Sequence, residues 1–247
     1  MKPPPFDLNA FDYAHRGLWS AGVPENSLAA YQAAADAGYG IEYDVRLSAD
    51  GVPILYHDET LKRLTPNKAL TASLDADALT QTHLAETDQT IPTLQDLLNI
   101  WPKNLPLLTE LKIDGPTHGP LFARQVADMI KDFGGLATMM SFDEPTVAAI
   151  PEGIYAGQLI HPIKVFGETS FMGKLQRAAI CRNDYICVWH EDAAQALPVA
   201  QSAGKPLMVY TVRGAAEQTA LANAIDENIA IIFEHYDPRL ARAAITA

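Results

Sequence analysis

The feature that most constrains the fold of this chain is a regular alternation of short, β-rich apolar runs with longer segments of helical periodicity. This alternation is typical of a mostly parallel sheet with crossover helices. The length of 247 residues fits one (β/α)₈ barrel, but it also fits two small domains. The predicted strands lie near residues 11–15, 41–47, 107–113, 137–141, 154–160, 185–190, 207–212 and 229–234. Helical patterns begin at Ser27 and Thr93 and cover residues 121–133, 193–203 and 215–227.

One apolar run falls outside this alternation. Residues 48–51 form a turn that joins the second predicted strand to residues 52–57, and Asp-Gly between two apolar runs indicates a β-hairpin. We therefore predict a hairpin extension after the second strand. Residues 58–91 are polar and weakly periodic, and we predict a small insertion there. Because no long Pro, Gly or Ser run divides the chain, we predict a single domain over residues 1–247.

The formal net charge of -12 narrows the possible partners. Such a surface repels nucleic acid and anionic membranes, so a phosphate-containing substrate would need a local cation. No secretory core or stretch of 18 apolar residues occurs, and we expect a cytoplasmic protein without stable membrane insertion. Nothing in the sequence points to a particular oligomeric state. Cys181 and Cys187 are predicted to be buried free thiols.

Carboxylates lie on two of the predicted strands. Residues two apart in a strand point to the same face, so Glu42 projects with Asp44, and Glu110 projects with Lys112. Strands are spaced about 4.8 Å apart, so the three carboxylates could meet at one rim. One interpretation is a hard divalent cation, Mg²⁺ or Ca²⁺, held among them. The alternative is that some of them form ordinary salt bridges with nearby basic residues, namely Arg16, Arg46 and Lys112.

Two histidines end neighbouring predicted strands. His15 ends the first strand, and His57 ends the hairpin beside the second. Because barrel enzymes place catalytic groups at the carboxyl ends of strands, this pair could act as general base and general acid. A structural role is the alternative for each. The other five histidines match no catalytic position: His161, His190 and His235 are predicted to be structural, and His83 and His118 to be exposed loop residues.

Short motifs follow one another in a fixed order between residues 12 and 115. They are Ala14-His15-Arg16-Gly17, Pro24-Glu25-Asn26-Ser27, Glu42-Tyr43-Asp44-Val45-Arg46, Asp50-Gly51, His57-Asp58, Arg63-Leu64-Thr65, Pro92-Thr93-Leu94 and Glu110-Leu111-Lys112. Each motif is weak alone. The ordered set resembles the glycerophosphodiester phosphodiesterase family, relatives of the phosphoinositide phospholipases C.

The resemblance implies a (β/α)₈ (TIM) barrel with a bound divalent metal, usually Mg²⁺ or Ca²⁺. It also implies hydrolysis of small-molecule glycerophosphodiesters to an alcohol and glycerol 3-phosphate. Residues 58–91 would cap one side of the pocket. Position by position, the implied metal ligands are Glu42, Asp44 and Glu110, the acid/base pair is His15 and His57, and the phosphate contacts are Arg16 and Lys112.

The carboxyl-terminal half departs from the family pattern. The family often has Trp-Thr-Val-Asn on its seventh strand, where this chain has Tyr210-Thr211-Val212-Arg213. Its last strand often ends Thr-Asp-x-Pro, where this chain continues Glu234-His235-Tyr236-Asp237-Pro238. We predict that Tyr210 contacts the substrate, with a role in filling the barrel as the alternative. These differences leave the preferred leaving alcohol open.

Two other functions compete with glycerophosphodiester hydrolysis. One is a lysophospholipase D-like diesterase, which would need an exposed apolar lip that the polar residues 58–91 do not offer. The other is a non-catalytic barrel that binds phosphodiesters. A pure binder has no need of two imidazoles beside the phosphate, and this chain has both His15 and His57.

Overall fold

The described part of the chain contains one nine-stranded sheet. The computed structural model describes residues 6–114, 117–225 and 228–245. Its strands are β1 (Tyr13–His15), β2 (Gly40–Leu47), β3 (Pro53–Leu55), β4 (Leu107–Leu111), β5 (Ala137–Ser141), β6 (Tyr155–Leu159), β7 (Tyr185–Trp189), β8 (Leu207–Val212) and β9 (Ala230–Phe233). The order is β1, β9, β8, β7, β6, β5, β4, β2, β3, and β1 also pairs with β2. Apart from β3, the strands pair in parallel and close into the predicted eight-stranded TIM barrel.

Helices connect the strands and cover the outside of the barrel. In the described residues they are α1 (Leu28–Asp36), α2 (Ala76–Thr80), α3 (Leu94–Ile100), α4 (Gly119–Phe133), α5 (Glu144–Ala149), α6 (Ile163–Phe166), α7 (Glu168–Ile180), α8 (Ala193–Ser202), α9 (Ala215–Ala224) and α10 (Pro238–Ile245). Their starts follow local capping chemistry. Ser27 accepts the amide of Ala30, and Thr93 forms a reciprocal capping box with Asp96. None of these helices is long and apolar enough to cross a membrane.

The alternation of side chains along the strands sorts the core into two layers. On β2, Ile41, Tyr43 and Val45 belong to the outer layer between strands and helices. Because successive side chains point to opposite faces, Glu42 and Asp44 must point into the barrel. The inner layer contains side chains such as Leu108, Met140, Leu159, Cys187, Met208 and Ile232.

The amino-terminal segment packs against this inner layer. Phe6, Leu8 and Phe11 all belong to the same apolar cluster as the barrel interior, and the hydroxyl of Tyr13 donates to the carbonyl of Leu8 at 3.0 Å. The side chain of Asn9 accepts the amide of Ala230, at the start of β9. Since β9 starts at this end, the segment packs at the amino-terminal end of the barrel and leaves the carboxyl ends of the strands for a site.

The predicted hairpin is confirmed, and it carries a small core of its own. β3 is antiparallel to β2, with Val45 opposite Leu55. Residues 58–91, which we call the insertion segment, contain α2 and short 3₁₀ turns at Leu61–Arg63 and Thr71–Ser73. Its apolar side chains pack together with two from the hairpin, forming a cluster of Ile54, Tyr56, Leu61, Leu79, Leu84 and Ile91.

Some elements differ from the prediction. α2, α5, α6, α7 and α10 were not predicted, and the last two residues of the predicted helix 215–227 lie outside the described residues. The prediction that both cysteines are buried is wrong for Cys181. Both thiols are free, but Cys181 caps the end of α7 and is exposed, whereas Cys187 lies inside β7. The polar residues 182–184 form a turn between them, so the apolar stretch is interrupted.

Candidate active site

The carboxyl ends of β2 and β4 bring three carboxylates together. Asp44 pairs directly with Glu110 in the parallel ladder, and Glu42 lies two residues before Asp44 on the same face. One oxygen from each of Glu42, Asp44 and Glu110 lies within 4.8 Å of the others. All three side chains are buried, with Asp44 fully so. The predicted convergence of these residues is therefore observed.

This carboxylate cluster fits a hard divalent cation. Lys112 Nζ lies 3.0 Å from Asp44 and 2.6 Å from Glu110, so part of the negative charge is already balanced. Glu42 Oε1, however, is buried and accepts no hydrogen bond within the described residues. Burial, followed by the nearby Asp44 and Glu110, raises the pKa of Glu42 well above its usual value. An all-oxygen donor set with one uncompensated oxygen suits Mg²⁺ or Ca²⁺.

Asp44 is held rigidly from behind. Asn26 donates from Nδ2 to Asp44 Oδ2 at 2.8 Å, and its own side-chain oxygen accepts the Tyr31 hydroxyl at 2.9 Å. Asn26 has φ of 53°, a left-handed conformation that asparagine tolerates better than most residues. Burial alone would raise the pKa of Asp44, but Lys112, His57 and Arg16 lower it well below its usual range. Asp44 is therefore ionised.

Each candidate catalytic histidine is oriented by a carboxylate. His15 Nδ1 lies 2.6 Å from Glu234 Oε1, and His57 Nδ1 lies 2.6 Å from Asp58 Oδ1. When Nδ1 donates to a carboxylate, the Nε2 atom of the neutral ring is left as a free acceptor. Burial lowers the pKa of His15, and it lowers the pKa of His57 to about 4. Both rings are therefore neutral near pH 7 before substrate binds, so the one that acts as a base can take up a proton at Nε2, and the one that acts as an acid must first be protonated there.

The orienting carboxylates have cationic partners in turn. Arg213 Nε lies 2.7 Å from Glu234 Oε2. Burial opposes ionisation of Glu234, but His15 and Arg213 lower its pKa to about 2. Arg63 Nε donates to Asp58 at 2.6 Å. The guanidinium of Arg63 also holds both oxygens of Glu25, and Glu25 accepts from Arg16 as well.

Two connected cavities open at this end of the barrel. The inner cavity, of about 210 Å³, lies between the two histidines and the carboxylates, and Trp189 and Arg213 form part of its wall. The outer cavity, of about 600 Å³, shares five lining residues with the inner one: His57, Glu110, Lys112, Phe142 and Tyr210. One outer wall is aromatic, because the rings of Phe142 and His161 stack at 4.0 Å.

Known proteins provide a match over most of the chain. The sequence profile of the glycerophosphoryl diester phosphodiesterase family matches residues 15–230. The chain belongs to this family. The probable glycerophosphodiester phosphodiesterase 2 of Mycobacterium tuberculosis is 41% identical over 92 residues, which are 36% of this chain and 34% of that protein. Glycerophosphodiester phosphodiesterase 1 of Rattus norvegicus is 37% identical over 92 residues, 34% of this chain and 28% of that protein. The chain thus matches about a third of the length of these curated relatives.

Solved structures match nearly the whole fold. A glycerophosphodiester phosphodiesterase from Thermotoga maritima has a TM-score of 0.72 at 26% identity, covering 90% of this chain and 93% of its own. An Oleispira antarctica phosphodiesterase, solved with the product sn-glycerol-3-phosphate, has a TM-score of 0.77 at 22% identity and covers 96% and 97%. The second likeness supports the barrel fold alone.

The predicted site residues of this family member lie together. All of them line the inner cavity except Asp44, which lies directly behind it: His15, Arg16, Glu42, His57, Glu110, Lys112 and Tyr210. Arg16 and Lys112 contact carboxylates in this structure. The hydroxyl of Tyr210 donates to the carbonyl of Ile160 at 2.7 Å, so its ring, not its hydroxyl, faces the cavities.

Several supporting residues were missed as site residues. Asp58, Arg63, Glu25 and Asn26 were noted only as parts of motifs, and their contacts to the histidine and the carboxylates were not predicted. Glu234 directly follows β9 and lies beside His15, because β9 pairs with β1 where the barrel closes. Within the described chain no residue of the insertion segment lines either cavity. The insertion segment was expected to cap one side of the pocket. It instead supports the site from outside, because Arg63 donates to Asp58, the partner of His57.

The remaining histidines separate into three environments. His161 lines the outer cavity, and burial lowers its pKa to about 4. His190 is buried beside Trp189, and His235 packs against Trp19. Exposed positions were predicted for His83 and His118, and both are exposed, although His118 also caps α4. None of these five histidines lines the inner cavity.

Proposed function

We propose that this protein hydrolyses glycerophosphodiesters to an alcohol and sn-glycerol 3-phosphate with the help of a divalent cation. One observation supports this proposal above all. His15 and His57, each oriented by a carboxylate, lie on the wall of the cavity that also borders the carboxylate cluster. Diester cleavage needs one group that removes a proton and one that donates a proton. A module that only binds phosphodiesters needs neither.

The cation would be held by Glu42, Asp44 and Glu110. Mg²⁺ or Ca²⁺ fits this oxygen donor set, and it would supply positive charge beside the phosphoryl oxygens and lower the pKa of a nearby hydroxyl. Arg16 and Lys112 line the inner cavity and would add charge on the same phosphate. Tyr210 would contact the substrate through its ring, which lines both cavities.

The substrate carries its own nucleophile. The glycerol hydroxyl next to the esterified carbon can attack phosphorus in the same molecule, which makes the step effectively unimolecular. One histidine takes the hydroxyl proton, and the other donates a proton to the oxygen of the leaving alcohol. A cyclic glycerol phosphate forms as the bond to that alcohol breaks. Water then opens the ring, with the roles of His15 and His57 exchanged.

Turnover of defined diesters tests this function. Purified protein is incubated with glycerophosphocholine, glycerophosphoethanolamine and glycerophosphoinositol, and the products are followed by ³¹P nuclear magnetic resonance. We expect glycerol 3-phosphate to accumulate, and we expect EDTA to stop the reaction until Mg²⁺ or Ca²⁺ is added. No turnover of any diester, with the protein folded and Mg²⁺ or Ca²⁺ present, would support the non-catalytic alternative.

An altered substrate tests the neighbouring-hydroxyl step. A diester that lacks the adjacent glycerol hydroxyl should be nearly inert, because no internal nucleophile remains. The control is its ability to compete with the parent diester, which shows that it still binds. Cleavage at the parent rate would replace this step by direct attack of water on phosphorus.

A second candidate, a lysophospholipase D-like activity, is favoured by one observation. The sequence offered no apolar lip in the insertion segment, but α6 exposes Val165 and Phe166 beside the outer cavity. The Phe166 ring contacts His161 at 4.6 Å, and His161 stacks on Phe142 in the cavity wall. Turnover of lysophosphatidylcholine that falls in Phe166→Ser, while glycerophosphocholine turnover is kept, would establish it. Absence of lysophospholipid turnover would remove this candidate.

A further inference from the structure

Two cations lie over one aromatic ring at the mouth of the inner cavity. Lys164 Nζ, from α6, is 3.9 Å from the ring centroid of Trp189, and the guanidinium carbon of Arg213, after β8, is 5.6 Å from it. Trp189 and Arg213 line the inner cavity. Lys164 is paired with Glu191 and Arg213 with Glu234, so a ligand anion would use the hydrogen-bond donors that these carboxylates leave open. We call Lys164, Trp189 and Arg213 the cationic rim.

Arg213 has more hydrogen-bond donors than its pairing with Glu234 uses. A guanidinium offers five N–H donors, and Arg213 places its Nε against Glu234 at 2.7 Å. Within the described residues its two terminal nitrogens make no hydrogen bond, and the side chain is 44% exposed. The pairing of Arg213 with Glu234 therefore fixes the direction of the fork without using up its remaining donors.

Lys164 is also available to a ligand. Its ion pair with Glu191 is long, at 3.4 Å, and both side chains are more than half exposed. Exposed pairs of this kind are weak, so a ligand anion can replace Glu191 as the partner of Lys164. Glu191 accepts the indole N–H of Trp189 at 3.0 Å, which holds the carboxylate at the edge of the ring.

The scissile phosphate has positive groups of its own, because Arg16, Lys112 and the carboxylate cluster that would hold the cation border the same inner cavity. The glycerol half of a glycerophosphodiester has no charge besides that phosphate. An additional anion must therefore belong to the alcohol that leaves. An ammonium group would meet two like charges at Trp189, whose ring is already engaged by Lys164 and Arg213.

We infer that Lys164 and Arg213 form a subsite for an anionic group on the leaving alcohol, either a carboxylate or a second phosphate. This inference rests on the proposed function, because it presupposes that the cavity binds glycerophosphodiesters. Arg213, which stands where the family often has asparagine, would then determine specificity. Its terminal nitrogens would bind the anionic group of the alcohol, while Nε remains paired with Glu234.

A matched pair of substrates tests the subsite. sn-Glycero-3-phosphoserine and sn-glycero-3-phosphoethanolamine differ by one carboxylate, so the ratio of their kcat/KM values isolates its recognition. We expect the wild type to prefer the serine diester by roughly tenfold. In Lys164→Gln the ratio should fall several-fold toward one, while kcat for the ethanolamine diester stays unchanged, since Lys164 contacts neither histidine. Lys131→Gln, on the outer helix α4, is the matched control and should keep the wild-type ratio.

The variant Arg213→Gln tests the same subsite from its other cation. Because this change also loosens Glu234, kcat should fall for both diesters, but the ratio should fall in addition. A wild-type ratio near one, or a ratio that both variants leave unchanged, would overturn the subsite while diester turnover still supports the proposed function. If neither diester is turned over, the proposed function fails and calorimetric binding of the two diesters becomes the test. Preferential binding of the serine diester that is lost in Lys164→Gln would then support the subsite, and equal binding would overturn it.

Discussion

The two sides of the barrel mouth are built in different ways. On the side of β1, β2 and β4, buried carboxylates and histidines are fixed by one another, by Asn26 and by Lys112. On the side of β7, β8 and β9, the rim consists of aromatic rings and exposed cations over Trp189. The first side carries the motifs that resemble the family, and the second departs from them. The difference separates the groups proposed for chemistry from those proposed for choosing the substrate.

The two sides differ in how far their charged groups are buried and paired. A buried charged group is strongly destabilising unless it is paired or hydrogen bonded, so each residue around Asp44 is constrained by the next. Exposed cations such as Lys164 contribute little to stability. Substitutions in the rim should therefore change the preferred alcohol without disturbing the carboxylate cluster. Substitutions on the first side should instead lower the rate with every diester.

The largest effect should come from the chemical side. His57→Ala and His15→Ala should each lower kcat by roughly 10²–10⁴, as expected for loss of a general acid or base. His83→Ala, an exposed histidine of the insertion segment, is the control and should be fully active. Steady-state kinetics with one diester, together with circular dichroism to verify folding, measures the effect. Near wild-type turnover of either variant would remove that histidine from the proposed mechanism.

Glu234 links the two sides, because it lies on the second side but orients His15 on the first. Glu234→Gln keeps the shape of the side chain and removes the charge that orients the ring. We expect kcat to fall by roughly 10–100-fold, the usual effect of losing a supporting partner. Asp237→Asn, which alters a nearby carboxylate bound to Tyr39, should leave kcat unchanged. Equal kcat values for the two variants would mean that Glu234 has no part in orienting His15.

The smallest effect should come from the Tyr210 hydroxyl. It donates to the carbonyl of Ile160 and not into the cavity, so Tyr210→Phe loses one hydrogen bond and keeps the ring. The free energy of unfolding should fall by about 1 kcal/mol, with kcat/KM close to the wild-type value. Urea denaturation and steady-state kinetics measure the two quantities. A large loss of kcat/KM without loss of stability would show that the hydroxyl itself contacts the substrate.

The sequence predicted best what depends on local patterns. All eight barrel strands lie where the apolar runs indicated, and Asp50-Gly51 marked the hairpin, because strand and turn signals are contained in a few residues. The carboxylate cluster was predicted from two-residue spacing and neighbouring strands. α6, of four residues, and α5, of six, were missed because such short helices show too few turns for a periodic signal.

Contacts that depend on closure of the barrel could not be predicted in the same way. His15 and Glu234 are 219 positions apart and meet only because β1 pairs with β9. Lys164, Trp189 and Arg213 come from three separate elements, and no spacing in the sequence relates them. The buried position predicted for Cys181 failed for a local reason, since the polar turn at 182–184 separates it from β7.

The most direct test of the account is a metal titration of the carboxylate cluster with turnover measured in the same samples. Demetallated wild-type protein should be inactive, and added Mg²⁺ or Ca²⁺ should restore hydrolysis as the metal binds. Glu42→Gln preserves the size of the side chain but removes the charge of the residue whose Oε1 has no described partner. It should need at least roughly tenfold more metal for half-maximal activity. Full turnover by metal-free wild type, or the same metal requirement in Glu42→Gln, would contradict the proposal that this cluster holds the catalytic cation.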